Sequence, residues 1–209
     1  PITHRWVHSS FRYAKVFGEK SIHKAVELAL KYDRLIDVHC DETDDDQSRY
    51  VELLSALTYM EGIDKKTTAS HTCSLGSANN AYVFRLMNLL CKTKMNFISC
   101  PTENIYLQGR QDTYPKRRGL TRVKELNDNH INVCFAQDSM SDPWYPLGNG
   151  NMMNILDYGI HICQMMSFDE IDNALDLITI NGAKTMNLDD VSSKYFQNTE
   201  GYIVDVFLY

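Results

Sequence analysis

The chain has 209 residues, 44% of them hydrophobic, with 10 glycines, 5 prolines and a formal charge of -6. That composition fits one globular domain and excludes a disordered or collagen-like chain. The modest acidity gives no footing for a nucleic-acid partner, and the richest apolar window, 151–166, is broken by Asn154, Asp157, His161 and Gln164, so no membrane span is expected.

In chain order, the opening PITHRWVHSSFRYAKVFG is basic, with no acid before Glu19. It bears a faint likeness to a processed import sequence, which sets an organellar location beside the cytoplasmic one as the alternative. Residues 18–31 place Ile22, Val26 and Ala29 at helical spacing. Residues 35–38 read as a strand ending at His39, and 47–60 as a helix carrying Val51, Leu54 and Leu57, with Gly62 as its stop. A second strand, 66–70, ends at His71; a helix over 78–91 follows, built on Tyr82, Leu86 and Leu89. The third strand is 95–100, then a polar connection over 101–119 and a short helix at 123–127. The fourth strand, 131–136, ends near Asp138. After the aromatic turn SDPWYPLG come helices at 149–166 and 168–181, the second opened by a capping box of Ser167 and Glu170. Residues 1–190 thus form the main domain and 191–209 a short tail ending in a strand at 202–209.

Four strands alternating with helices at intervals of about 30 residues mean parallel strands with crossover helices, in an open doubly wound sheet or a (β/α) barrel. No GxGxxG or Walker sequence follows the first strand, which lowers the nucleotide readings. Both architectures work at the carboxyl ends of their strands, where His39, His71 and Asp138 fall. None of the six cysteines forms a CxxC pair, which points to buried, reduced thiols in an intracellular protein.

Alternation groups Leu35, Asp37 and His39 on one strand face, and Asn132, Cys134, Ala136 and Asp138 on another. If both faces point inward, an imidazole and a carboxylate meet as ligands suited to Zn²⁺ or Fe²⁺. Glu42, just past the strand, could carry a proton from the attacking water to a leaving nitrogen. His71 could hydrogen-bond that water or stabilise charge at the reacting carbon. Plainer readings stand beside these: a structural histidine, a turn-capping Asp138, and a solvated Glu42 in the acidic run DETDDD. The segment 104–119 would lie over the same rim, with Lys116, Arg117 and Arg118 as its solvated edge. Trp144 is either a flat wall for a planar ring or a core aromatic.

The strings LALKYDRLIDVHCDETDDDQSR, TASHT, NIYLQGRQDTYPKRRGLTRVKEL, INVCFAQDSMSDPWYPLGNGNM and LITINGAKTMNL occur in that order. Together, over about residues 17–190, they resemble the bacterial-type cytosine deaminases of the amidohydrolase superfamily. The resemblance implies a partial amidohydrolase-type (β/α)8 barrel supplying about four βα units, the fifth to eighth strands. It implies hydrolytic deamination of a small cyclic amidine such as cytosine at one divalent metal, iron or zinc. Carried over by motif, His39 and Asp138 become metal ligands, Glu42 the proton carrier, His71 the residue assisting the water, and Trp144 a substrate-binding wall. The chain departs from the pattern in three ways. It has no HxH pair, it reads Gln137, Asp138, Ser139 where the family has HDD, and its β-rich flank is reduced to the last few residues. A half barrel also has two open edges and an uncovered interior face, so another chain that completes it or buries its edges is expected. Two functions follow: a metal-dependent aminohydrolase acting on a small-molecule substrate, or a catalytically degenerate structural subunit with no cofactor.

Overall fold

In the computed structural model five parallel strands lie side by side in sequence order: β1 (Trp6–Ser10), β2 (Leu35–Cys40), β3 (Thr67–His71), β4 (Asn96–Ser99) and β5 (Val133–Phe135). The structure describes residues 6–10 and 15–188, with side chains from Gly18 onward; the expected strand at 202–209 and the tail it ends lie outside the described residues. Between the strands run α1 (Lys15–Tyr32), α2 (Tyr50–Met60), α3 (Ser74–Ser77), α4 (Asn80–Leu90), α5 (Pro101–Leu107) and α6 (Val123–Asp128). After β5 come α7 (Met152–Ile162), α8 (Phe168–Asp172) and α9 (Ile180–Thr185). Strands β2 to β5 with their helices are the four βα units of a partial (β/α)8 barrel of the amidohydrolase type. The pair β1–α1 is additional: WVHSS has no run of apolar residues to mark it as a strand.

The helices cover one face of the sheet. On it Ile36, Val38, Cys40, Ala69, Phe97 and Val133 are inaccessible, packed against Ile22 and Val26 of α1, Leu54 of α2, Leu86 of α4 and Ile155 of α7. Burying one such Leu, Ile or Phe side chain contributes roughly 1.5–3 kcal/mol. Local chemistry sets the helix ends. Gly62, at φ 67, follows α2; its N–H bonds Tyr59 O at 3.2 Å and that of Ile63 bonds Thr58 O at 2.9 Å, the paired bonds of a glycine-terminated helix. Asn79 caps α4 through a bond from Tyr82 N at 2.9 Å, and the Ser167–Glu170 capping box opens α8. Helix α7 meets β5 at Gly159, where a Cβ would lie 2.4 Å from the Phe135 ring.

The opposite, inner face is polar. Register aligns Asp37 with Thr68 and His39 with Ser70, Thr68 with Asn96, Ser70 with Ile98, and Ile98 with Cys134. Ser70 Oγ donates to Asp37 Oδ1 at 2.6 Å and Asn132 Nδ2 to Asn96 Oδ1 at 2.9 Å. This face is covered in part, with Asp37, His39 and Ile98 half-buried. Thr68, Ser70, Asn96 and Cys134 are buried, and α9 reaches this face where Thr185 Oγ1 accepts from Asn132 Nδ2 at 3.0 Å and meets Cys134 Sγ at 3.6 Å.

Candidate active site

The four polar residues singled out in the sequence, from three strand ends, gather at the carboxyl rim of the sheet, each by its own backbone device. His39 follows the strict alternation of β2 and shares the inner face with Asp37. Glu42 comes after Asp41, whose φ of 53 turns the chain as it leaves the strand. Asp41 itself is inaccessible and accepts from Ser48 Oγ at 2.7 Å, Tyr50 N at 3.0 Å and Val51 N at 2.8 Å. It ties the end of β2 to the start of α2. Burial pushes its carboxyl up, against the downward pull of these hydrogen bonds.

His71 breaks the alternation. Parity aligned with Ser70 and His39 would send it to the helix-covered face, yet its ring lies 4.6 Å from that of His39. Left-handed backbone at His71 (φ 71) and Thr72 (φ 43) accompanies the reversal. Asp138, at φ 68, likewise sits on a left-handed turn past β5. Such conformations cost a non-glycine residue free energy and collect where function demands a geometry.

His71 is the hub. Its Nδ1 lies 3.1 Å from Asn104 Oδ1 and 3.8 Å from Glu42 Oε1, and its Nε2 lies 3.6 Å from Asp138 Oδ2. Asn104 Nδ2 in turn donates to Glu42 Oε1 at 3.4 Å. Exchanging the Asn104 oxygen and nitrogen would aim the oxygen at a carboxylate, so His71 carries hydrogen on Nδ1. Its Nε2 then faces Asp138 Oδ2 with a lone pair. The side chains of His71 and Glu42 are 1% and 3% exposed, whereas that of Asp138 is 29% exposed and marks the open side.

His39, Glu42 and His71 each offer a ligand atom within 4.8 Å of the others, and so do His71, Cys100 and Asp138. Nitrogen, oxygen and sulfur donors at that spacing suit a divalent cation such as Zn²⁺ or Fe²⁺. Cys100 lies between β4 and α5; burial, then the charge of Asp138, pushes its thiol up.

Trp144 stands apart from this cluster, 56% exposed on the turn after Asp138, which excludes the core-aromatic reading. The covering segment is pinned to the acidic run, not loosely solvated. Arg117 pairs with Asp112 at 2.6 Å and donates to Asp44 O and Ser77 Oγ, both at 2.8 Å, while Gly109 N donates to Asp44 Oδ2 at 2.8 Å. The Arg117 guanidinium holds the Asp112 carboxyl down at about 2. Asn104 and Glu103 escaped the sequence reading because the stretch after β4 reads as a polar connection, and Cys100 because it reads as the end of an apolar strand. The available signal was Pro101, a residue suited to the first turn of a helix.

Residues 3–193 match the sequence model of the amidohydrolase family, and the chain belongs to that family. It is 50% identical to 5-methylcytosine deaminase from Klebsiella pneumoniae, solved with 5-fluorocytosine, and superposes on it with a TM-score of 0.87 over 89% of this chain and 46% of that one. Pterin deaminase of Rhizobium rhizogenes is 27% identical over 157 residues, 75% of this chain and 36% of that protein. N-isopropylammelide isopropylaminohydrolase from Burkholderia multivorans, 18% identical with a TM-score of 0.72 over 88% of this chain and 44% of that one, shares the fold. The chain spans less than half the length of these relatives.

Proposed function

We propose that this chain carries part of the active site of a metal-dependent aminohydrolase acting on a small cyclic amidine, cytosine or 5-methylcytosine first among them. The observation that carries the reading is the convergence of His39, Glu42, His71 and Asp138, from three separate strand ends, with Asn104 joining two of them. The likeness to a 5-methylcytosine deaminase supports the substrate class.

In this reading His39 and Asp138 hold the divalent metal, together with ligands from further barrel strands, borne by another chain or by another part of the same protein. The metal, when bound, supplies Lewis-acid activation of water. Glu42, nearly sealed from solvent, takes one proton from the attacking water and gives it to the ring nitrogen, then carries the second, from the hydroxyl now on the attacked carbon, to the departing amine. Its Asn104 contact aims Oε1 into the site. His71, oriented through Nδ1 by Asn104, presents its Nε2 lone pair to the attacking water and accepts a hydrogen bond from it. Trp144 covers the flat face of the ring after moving inward with its turn. Small polar side chains line the inner face, where a purely structural subunit would carry bulky apolar filling; that favours catalysis over scaffolding.

Ammonia release by the zinc- or iron-loaded protein, measured against cytosine, 5-methylcytosine, isocytosine and creatinine, tests the proposal. Turnover of a pyrimidine amidine above the others supports it. Stoichiometric metal with no turnover of any of the four rejects it.

A further inference from the structure

The loop 138–150, between β5 and α7, has a buried neck and an open tip. Gln137, Ser139 and Gly148 are buried, whereas Trp144 is 56% and Leu147 77% exposed. Across the neck, Gln137 Oε1 accepts from Gly150 N at 3.3 Å and Ser141 Oγ donates to Gly148 O at 3.1 Å. Gly148 packs so closely that a Cβ there would lie 2.0 Å from Ser139 O. The other end of the Gln137 amide reaches α5. Its Nε2 donates to Thr102 Oγ1 at 3.2 Å, and both residues are buried. Thr102 stands two residues before Asn104, which orients His71.

From these contacts we infer that Gln137 is a positioning residue: its one amide closes the neck of the loop and ties it to α5, holding Asp138 in place while the tip that bears Trp144 stays free to close. The inference rests on the reading of Asp138 and Trp144 as site residues.

Donor and acceptor counting fixes the amide. The Gly150 N–H is a donor, so the Gln137 atom facing it is the oxygen; exchanging the two ends would set donor against donor. The nitrogen then faces Thr102, whose hydroxyl accepts. Breaking either bond leaves a buried polar group without a partner, which makes the amide a stiff link between the two segments. Asp138 stands between Gln137 and Ser139 at φ 68, a left-handed conformation that lasts only where its surroundings hold it. The neck contacts on either side do so. The tip is braced differently. Asp142 Oδ1 accepts the backbone N–H groups of Trp144 at 2.9 Å and Tyr145 at 3.0 Å, bonds internal to the tip, and Tyr145 meets Tyr106 of α5 ring to ring at 6.0 Å. Aromatic pairs tolerate centroid separations of about 4.5–7 Å, so the tip can slide over α5 without breaking its own hydrogen bonds.

Amide hydrogen exchange at Gly150 in the full protein tests this without needing turnover, so a missing deaminase activity would leave the result readable. Gln137→Met, of similar length but with no polar end, should accelerate exchange there about tenfold, the loss of one hydrogen bond, with β3 and β4 amides unchanged. Thr102→Val releases the far end of the amide and should also accelerate it, while Thr102→Ser, which keeps the hydroxyl, should stay near the wild-type rate. Trp144→Leu, at the tip, should leave Gly150 unchanged. In an active preparation Gln137→Met should lower kcat on cytosine about tenfold with KM little changed, and Trp144→Leu should chiefly raise KM, since one supports the metal ligand and the other covers the ring. Wild-type exchange at Gly150 in Gln137→Met, or equal exchange in Thr102→Val and Thr102→Ser, would overturn the inference. So would acceleration in Gln137→Met that spreads equally over β3 and β4.

Discussion

Glu42 and Asn104 show how one hydrogen bond can set a residue's chemistry. The buried Glu42 carboxylate accepts from Asn104 Nδ2 at 3.4 Å and faces the His71 imidazole at 3.8 Å, contacts that hold it in place for the proposed proton transfer. Glu42→Gln keeps the shape and the neighbours, so we expect the fold and metal content of wild type with kcat lowered by about 10²–10⁴; steady-state kinetics beside elemental analysis checks this. Glu103 gives a pH prediction. Its carboxyl moves from 4.5 in an unfolded chain to about 7 in the fold. Between those values the folded protein keeps a proton that the unfolded chain has released, so stability is full below the lower value, falls as pH rises through the window, and is flat above it. At about 1.4 kcal/mol per unit the loss is roughly 3 kcal/mol. Urea melts of Glu103→Gln should lack this slope and show the variant gaining on wild type from pH 4 to pH 8. At this scale His39, Glu42, His71 and Asp138 were legible as polar endings of apolar runs. The inward swing of His71 was not, because it depends on a φ of 71 that no residue pattern announces.

The elements divide by the strength of their periodicity. Helices α1, α2 and α4 repeat apolar residues at helical spacing and lie where the pattern placed them, within a few residues at each end. Strand β1 and helix α5 are short and polar, and their places are set by tertiary contacts: the pairing of Trp6–Ser10 with β2, and the burial of Pro101 to Asn104 against the site. The windows at 149–166 and 168–181 end earlier or break into shorter turns, with Cys163 closing α7 and Asn173 closing α8. Asp41 is the joint between β2 and α2, and Asp41→Ala would strand the N–H groups of Tyr50 and Val51 at the start of the helix. We expect a loss of about 1–3 kcal/mol in denaturant unfolding, with faster amide exchange concentrated in α2. Gly159→Leu would drive a side chain into the Phe135 ring and should cost a similar amount, about 1–3 kcal/mol, read as a lower midpoint in thermal unfolding.

For the molecule as a whole, a parallel sheet with helices on one side and mostly polar side chains on the other brings reactive groups to one rim. Its inner face is closed low on β5 by α9, whose Asn181 also donates to Val133 O at 2.9 Å. The chain covers less than half of the length of its relatives, and in the proposed reading ligands beyond His39 and Asp138 come from elsewhere in the working protein. The 209-residue chain alone should therefore bind zinc weakly; tight one-to-one zinc after dialysis would contradict this. The alternation of strand and helix was readable in the sequence as either an open sheet or a barrel, and the family resemblance pointed to the barrel. The closure by α9 was not, since it rests on Thr185 and Asn181 meeting residues some fifty positions earlier in the chain. The most direct test of the account is an anomalous-scattering map from crystals soaked in excess zinc. It predicts a peak between β2 and β5, about 2.0–2.2 Å from a His39 nitrogen and an Asp138 carboxylate oxygen. Zinc bound elsewhere, with that position empty, would contradict it.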